Sequence, residues 1–427
     1  MILLAILFGG FFLLAFLGVP IAVSLGVAAM GGMIFSNVPL MSLPQKMFTA
    51  VDSFSFMAIP FFMLAGKLME TGGISRRLIR FADGLLCRIK GGLSVATVVA
   101  CAFFAALSGS SPGTVAAIGS VMYPEMTKLG YDEEFAAGLI TVAGGLGPII
   151  PPSILMVTLG VTTGISISAL FMGGLVVGII LTAALCTCAY IICSRKGYGP
   201  ARKSAPFREI VNSLLAALPA LGMPMIILGG IYGGVFTPTE AAAVAVVYSL
   251  FVGKFVYNEL TLKDLIITFE EAAIAATVIL FIISTSVAFS WIFARQGLAT
   301  MIVTQATALF TIPTLFLVAT FVILLVFGTF MEGNAIILLL MPFMYPVAQK
   351  LNIDVIHFGV MATVALVIGC CSPPVAVNIF TAVGITKLPM GRVIRGMMPF
   401  FLVMVFFTFI MLFFPQVSSF LPNLLGK

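Results

Sequence analysis

Of the 427 residues, 61% are hydrophobic and only 8% are charged, with a mean hydropathy of +1.23 and a formal net charge of +6. A water-soluble domain carries about 25% charged residues, so this chain cannot cover a surface in water and needs the lipid bilayer as its solvent. Its 21 Lys and Arg lie in short gaps between apolar runs; this excludes a basic, aromatic-interleaved face for nucleic acid and fits the positive-inside pattern of a polytopic membrane protein.

A membrane-crossing helix takes about 20 apolar residues, and roughly ten such stretches can be read. The run from Met1 to Leu17 lacks a basic leader and a small-residue cleavage site, so it reads as a first membrane helix, followed by Pro20 to Phe35. The mixed-polarity segment Pro39 to Ser53 reads as an amphipathic interfacial helix, and Phe54 to Met69 as a span. Lys67, Arg76, Arg77, Arg80, Arg88 and Lys90 then form a basic cluster, expected in the cytoplasm.

Leu93 to Leu107 is too short to cross, because fifteen helical residues rise only about 22 Å against a hydrocarbon core of about 30 Å. It runs into the turn-forming Ser108-Gly109-Ser110-Ser111-Pro112-Gly113-Thr114 and then Val115 to Thr127, which predicts a re-entrant helical hairpin. Phe135 to Thr163 is long enough to span, but its middle reads Gly144-Gly145-Leu146-Gly147-Pro148-Ile149-Ile150-Pro151-Pro152. Proline removes a backbone donor and glycine weakens a helix, so a break at mid-membrane is expected. Ala169 to Cys193 is an ordinary span, and Arg195, Lys196, Arg202, Lys203 and Arg208 form a second cytoplasmic cluster.

The second half repeats the first. Tyr123 and Tyr345 are 222 apart (345 − 123 = 222), and that offset also pairs Pro124 with Pro346, Lys128 with Lys350, Asp132 with Asp354, Thr141-Val142-Ala143 with Thr363-Val364-Ala365, Gly147 with Gly369, and Pro151-Pro152 with Pro373-Pro374. Internal repeats of this kind mark transporters. The spans Asn212 to Tyr232, Ala241 to Tyr257 and Ala272 to Ala294 follow, with Asn258 to Glu271 as a second amphipathic interfacial segment. The offset places Ser110 opposite Glu332, so Phe330-Met331-Glu332-Gly333-Asn334 is the tip of a second hairpin with arms near Leu315 to Gly328 and Ala335 to Ala348. A second broken helix runs from His357 to Ile385, interrupted at Gly369-Cys370-Cys371-Ser372-Pro373-Pro374; Lys387, Arg392 and Arg395 form a third basic cluster before Met397 to Phe414.

Residues 1–194 thus make one repeat (scaffold helices 1–70, hairpin and broken helix 93–165) and 195–210 a cytoplasmic linker. Residues 211–427 make the second repeat (scaffold 211–294, hairpin and broken helix 312–385, final helix 397–415). The expected fold is all-α and polytopic, with two inverted-topology repeats. Five crossings before the Arg195 cluster invert the second repeat and put both termini outside, Tyr198 inside and Lys350 outside.

No enzyme constellation is visible. His357 is the only histidine, and Gly109-Ser110-Ser111-Pro112-Gly113 has the spacing of a hydrolase elbow without its strand or its base. The seven cysteines lie mostly in apolar runs without histidine neighbours and read as buried thiols. No phosphate-binding loop and no organic cofactor motif occurs. The helix breaks, however, free backbone groups where no bulk water can satisfy them, so they must line a cavity or hold an ion. Carbonyl and hydroxyl oxygens suit Na⁺, and helix N-termini suit a carboxylate.

The candidate Na⁺ residues are Ser108, Ser110, Ser111, Gly144, Gly145, Gly147 and Pro148 in the first half. In the second half they are Gly328, Thr329, Glu332, Gly369, Cys371 and Ser372. Ser153, Asn334, Pro152, Pro374 and Asn378 are candidate contacts to the carried molecule. Thr237 and Glu240 read as a structural capping box with Pro238 at the first helical position. No Lys or Arg lies in either tip or either break. A passive channel is the competing reading, but a channel draws on a ring of like residues from an oligomer, whereas this chain carries its pseudo-symmetry internally.

Several stretches together resemble the large membrane subunit of TRAP (tripartite ATP-independent periplasmic) transporters over essentially the whole chain. They are Ala65-Gly66-Lys67-Leu68-Met69, Ser108-Gly109-Ser110-Ser111, Ala116-Ala117-Ile118-Gly119-Ser120, Lys128-x-Gly130-Tyr131-Asp132, Ile150-Pro151-Pro152-Ser153-Ile154, Phe236-Thr237-Pro238-Thr239-Glu240 and Ser372-Pro373-Pro374-Val375. Pro148 and Ala376 depart from the family pattern. The resemblance implies an elevator mechanism, Na⁺ coupling in a bacterial inner membrane and an organic acid anion as cargo. It also implies a small Q membrane subunit and a periplasmic substrate-binding P subunit as partners. The sequence looks more like the sialic acid branch than the C4-dicarboxylate branch.

Overall fold

The computed structural model describes residues 2–199, 206–373 and 376–426. Every described regular element is a helix, and seven of the described helices are long and apolar enough to cross a membrane. Helices Ile21–Phe35 and Ala58–Thr71 both pack on the 34-residue helix Leu262–Arg295, and Ala58–Thr71 also lies along Pro238–Phe251. Charge ties the next helix, Ile74–Leu86, to the connection before Leu262–Arg295: Arg77 donates to Glu259 across 2.7 Å and Arg76 does so across 3.2 Å.

Asn258 to Glu271 is not a separate interfacial helix. It merges into Leu262–Arg295, because no glycine or proline interrupts that stretch and the Thr261–Asp264 capping box starts the helix upstream of Glu271. The first half differs: Ser42–Val51 ends at Asp52, and a short 3₁₀ turn, Phe54–Met57, separates it from the following span. The last long helix is also longer than expected, Met390–Met411. Its first turns carry Arg392 and Arg395, which pair with Glu133 and Glu134 rather than standing in a loop.

The two hairpins are Gly92–Ser108 with Ser111–Lys128, and Pro313–Phe330 with Gly333–Lys350. Gly109 turns the first tip at φ +59°, where a Cβ would also lie 2.7 Å from the Pro152 carbonyl, so glycine is required twice over. The broken helices are Glu133–Ala143 with Ile154–Thr163, and Val355–Gly369 with Val377–Thr386. Asp132 and Asp354 cap their starts, accepting from Phe135 N at 2.9 Å and His357 N at 2.7 Å. His357 itself is buried, its ring hydrogen-bonded to Ser418 Oγ at 2.7 Å.

The packing crosses between halves. Ser111–Lys128 packs on Val377–Thr386, and Gly333–Lys350 packs on Ile154–Thr163, so the far half of each broken helix rests on the other half's hairpin. In lipid, helix association relies on close van der Waals contact of small residues. Gly328 and Gly369 meet in this way, a Cβ on Gly369 falling 2.6 Å from the Gly328 Cα, and Gly138 meets Gly396 likewise.

Candidate functional site

Both tips and both breaks converge on one cavity of about 400 Å³. Tip one supplies Ser108 to Gly113, the first break Pro148 and Ile154, tip two Glu332 to Asn334, and the second broken helix Cys370 and Val377. The rest of the wall comes from Ala58–Thr71 and Leu262–Arg295, through Met63, Lys67, Glu70, Val278 and Ile282 among others, and Gly66 of the former packs directly against the Ser108 backbone of tip one. Of the sequence-nominated residues, Ser108, Ser110, Ser111, Pro148, Glu332 and Asn334 therefore lie on the wall.

The tips are built differently. At tip one Ser110 is an N-cap, its Oγ accepting from Gly113 N at 3.3 Å. Ser108 Oγ lies 2.9 Å from Thr114 Oγ1, and Thr114 donates to the Ser110 carbonyl at 2.8 Å. At tip two the N-cap is a carboxylate: Glu332 accepts from Asn334 N at 2.9 Å, Ala335 N at 3.2 Å and Asn334 Nδ2 at 2.7 Å. Asn334 Oδ1 in turn accepts from Thr158 Oγ1 at 2.8 Å, so the amide is held from both sides.

Behind tip one lies a buried polar cluster. Ser111 Oγ donates to the Gly144 carbonyl at 3.3 Å, and Asn378 Nδ2 donates to Ser111 Oγ at 2.6 Å and to the Thr141 carbonyl at 3.3 Å. The Cys371 sulfur lies 3.1 Å from the same amide nitrogen and close to Gly145. Asn378 Oδ1 is buried and makes no hydrogen bond. A buried carbonyl oxygen without a donor is costly, and an oxygen of this kind is one a hard cation takes.

Several nominated residues sit elsewhere than expected. Asn378 is fully buried behind tip one rather than on the cavity wall, and Cys371 faces this cluster rather than tip two. Ser153 is fully buried and caps Ile154–Thr163, accepting from Met156 N at 3.2 Å. Gly328 and Gly369 serve the close backbone approach described above, and Gly147 packs its Cα face against the Ser110 carbonyl. Thr329 Oγ1 donates to the Leu325 carbonyl within its own helix. Ser372 is buried in the second turn, its N–H donating to the Gly369 carbonyl at 2.8 Å, and Pro152 lies under Gly109. Pro374 lies outside the described residues. Thr237 and Glu240, remote from the cavity, form a capping box with Pro238 in the first turn, Glu240 Oε2 accepting from Thr237 N at 2.8 Å.

Thr114, Thr141 and Thr158 join the site without having been singled out in the sequence. Thr114 and Thr158 contribute hydroxyls, which can hydrogen-bond between membrane helices, whereas Thr141 contributes its backbone carbonyl, its hydroxyl donating to the Ala137 carbonyl at 2.7 Å, so no side-chain signal marks it. Lys67 is the other addition, a cation on the cavity wall. At the edge of this assembly, hydrogen bonds from Arg392 and then Arg395 hold the Glu134 carboxyl below its usual range.

Two hairpin tips and two interrupted helices around a shared cavity, in an all-helical chain with several membrane-length spans, define a polytopic membrane protein with an internal, polar-tipped binding chamber. Residues 8–417 match the family model for the DctM component of the tripartite ATP-independent periplasmic transporter, and the chain belongs to that family. It is 43% identical to a C4-dicarboxylate TRAP transporter large permease protein of Pseudomonas aeruginosa, covering 94% of each chain. It is 36% identical to a sialic acid TRAP transporter large permease protein of Vibrio cholerae, covering 96% of each. Among solved structures it is similar in fold to the Alcanivorax borkumensis YdaH transporter, with a TM-score of 0.61 at 16% identity over 87% of this chain and 88% of that one. The expected lean toward the sialic acid branch is not carried by these identities, in which the dicarboxylate relative stands higher. The chain is thus a TRAP transporter large permease by family, and the two curated relatives described here are named as transporter permeases.

Proposed function

We propose that this permease takes up an organic acid anion, of the C4-dicarboxylate or sialic acid class, by sodium-coupled secondary transport. The single observation that carries the reading is the convergence of both tips on one cavity that holds no Lys or Arg from either tip or either break. A fixed, unpaired cation at mid-membrane would cost several kcal/mol and would retain a carboxylate. A sodium ion leaves with its cargo. In this reading the carboxylate sits between the tips, near the start of Ser111–Lys128. Sodium is drawn to the oxygens of Asn378, Thr141 and Gly144 and to the Glu332 side of tip two.

Helix boundaries support the inverted-repeat reading: Ser111 and Gly333, and Glu133 and Val355, start corresponding helices 222 residues apart (333 − 111; 355 − 133). An elevator then moves hairpins and broken helices against a scaffold of Ile21–Phe35, Ala58–Thr71, Pro238–Phe251 and Leu262–Arg295. A small Q subunit and a soluble P subunit complete the system in a bacterial inner membrane, with both termini periplasmic. The relative named as the isethionate TRAP permease DctMQ of Oleidesulfovibrio alaskensis, of which this chain covers 66%, fits a permease that works with further membrane sequence.

Flux in proteoliposomes containing this chain and its Q subunit, with P protein and succinate or a sialic acid outside, tests this. Accumulation is expected only with an inward Na⁺ gradient. Downhill equilibration at the same rate without sodium would point to a passive pore.

A further inference from the structure

One cation on the cavity wall does not come from the tips. Lys67 lies on Ala58–Thr71, on the cavity wall, with Glu70 one turn on and with Gly66, which packs against Ser108 of tip one, beside it in the chain. Its Nζ is 3.4 Å from Glu70 Oε2 and 3.4 Å from Glu271 Oε2, the latter on Leu262–Arg295. Well-made charge-assisted N–H···O contacts close to about 2.7–2.9 Å, so both pairs are loose. The Lys67 side chain is 41% exposed and that of Glu271 is 56% exposed. Pairs this exposed hold weakly, and an ammonium has three donors to distribute. The cation is thus shared between two carboxylates, neither of which saturates it, and it borders the cavity that the tips line.

Its position on the wall matters. A lysine at a tip would travel with the cargo and hold it. A lysine on the neighbouring helix Ala58–Thr71 stays behind when the tips move away from it, and two competing carboxylates keep the contact weak. Resting on the uptake reading above, we propose that Lys67 is a second contact for the anion. The cargo carboxylate exchanges with Glu271 on the Lys67 ammonium, forming a weak, sodium-independent step on the path between the tips and bulk water. The alternative role, a tie between two scaffold helices, makes the opposite prediction for Glu271: its loss would weaken the tie and would not strengthen anion binding.

The test is saturation-transfer NMR on the full chain purified in detergent, with succinate as the probe, in low-salt choline buffer. Wild type is expected to bind weakly. Lys67→Gln should weaken that binding at least threefold, Lys67→Arg should retain it, and Glu271→Gln should tighten it about threefold by removing the competitor. Absence of choline-phase binding in wild type, equal binding by wild type and Lys67→Gln, or no tightening in Glu271→Gln overturns the proposal. If Lys67→Gln fails to fold, Glu271→Gln decides alone. A parallel sodium titration of wild type separates this proposal from the reading it rests on. Loss of any sodium-dependent gain while the Lys67-dependent binding persists defeats the uptake reading and leaves the Lys67 contact standing.

Discussion

The two hairpin tips solve the same backbone problem with opposite electrostatics. Each must satisfy the free N–H groups at the start of a helix inside the membrane. Tip one uses a neutral hydroxyl, Ser110, which reaches one N–H. Tip two uses the Glu332 carboxylate, which reaches two N–H groups and an amide. A helix N-terminus carries roughly half a positive charge. At tip two that charge is already answered by a fixed carboxylate; at tip one it is only capped. On the proposed reading, this difference places the anionic cargo toward the capped but uncharged start of Ser111–Lys128, and sodium toward Glu332 and the carbonyls buried behind tip one.

The strongest way to break the comparison is to disturb the contact that seats tip two's hairpin on its broken helix. In Gly369→Ala the new Cβ would meet Gly328 Cα at 2.6 Å, with no flexible side chain to yield. Overpacking of this kind costs about 1–3 kcal/mol, so a clear fall in melting temperature in detergent and loss of uptake are expected. Gly384→Ala, where nothing lies within 4 Å of the new Cβ, should be neutral or slightly stabilising. Equal behaviour of the two variants would mean that the hairpin is not seated by this contact.

Removing the caps gives smaller effects in a fixed order. Glu332→Ala strips charge-assisted bonds worth about 1.5–3 kcal/mol, and Ser110→Ala strips a hydroxyl cap worth about 1 kcal/mol. Thermal melts should therefore rank Glu332→Ala below Ser110→Ala. The reverse order would remove the distinction between a charged and a neutral tip.

The smallest effect concerns the ion pairs at the start of the first broken helix. Arg392 and Arg395 hold the Glu134 carboxyl below its ordinary value of 4.5. A carboxyl lowered in the folded state contributes stability that is fully present above its unfolded pKa and is lost as pH falls through the folded one. The wild-type advantage over Glu134→Gln should thus be small and constant above about pH 5 and should vanish in stronger acid. An advantage that grows on acidification would contradict the assignment.

Much of this architecture was legible in the chain because the membrane makes its demands explicit. Gly144-Gly145 with Pro148, Pro151 and Pro152 cannot continue a helix, and the fifteen-residue arm Leu93 to Leu107 is too short to cross. The offset that aligned Asp132 with Asp354 also aligned two real helix caps. What could not be read was which way side chains turn at a break. Asn378 and Cys371 follow irregular backbone, where no 3.6-residue period tells facing direction, and both turn inward toward Thr141. Lys67 was hidden for another reason. It read as part of a basic cluster at a helix end, and only the packing of Leu262–Arg295 beside it puts it on a cavity wall. The fused helix at Glu271 was missed because a change in polarity was taken for a break, although no residue there interrupts a helix.

The central claim is that sodium, not a side chain of the tips, holds the anion between them. Equilibrium binding of succinate or a sialic acid to the purified chain, in sodium and in choline at matched ionic strength, tests it most directly. Affinity should fall at least tenfold in choline, leaving only a weak remnant, and should recover in step with added sodium. Equally tight binding in both salts would contradict it.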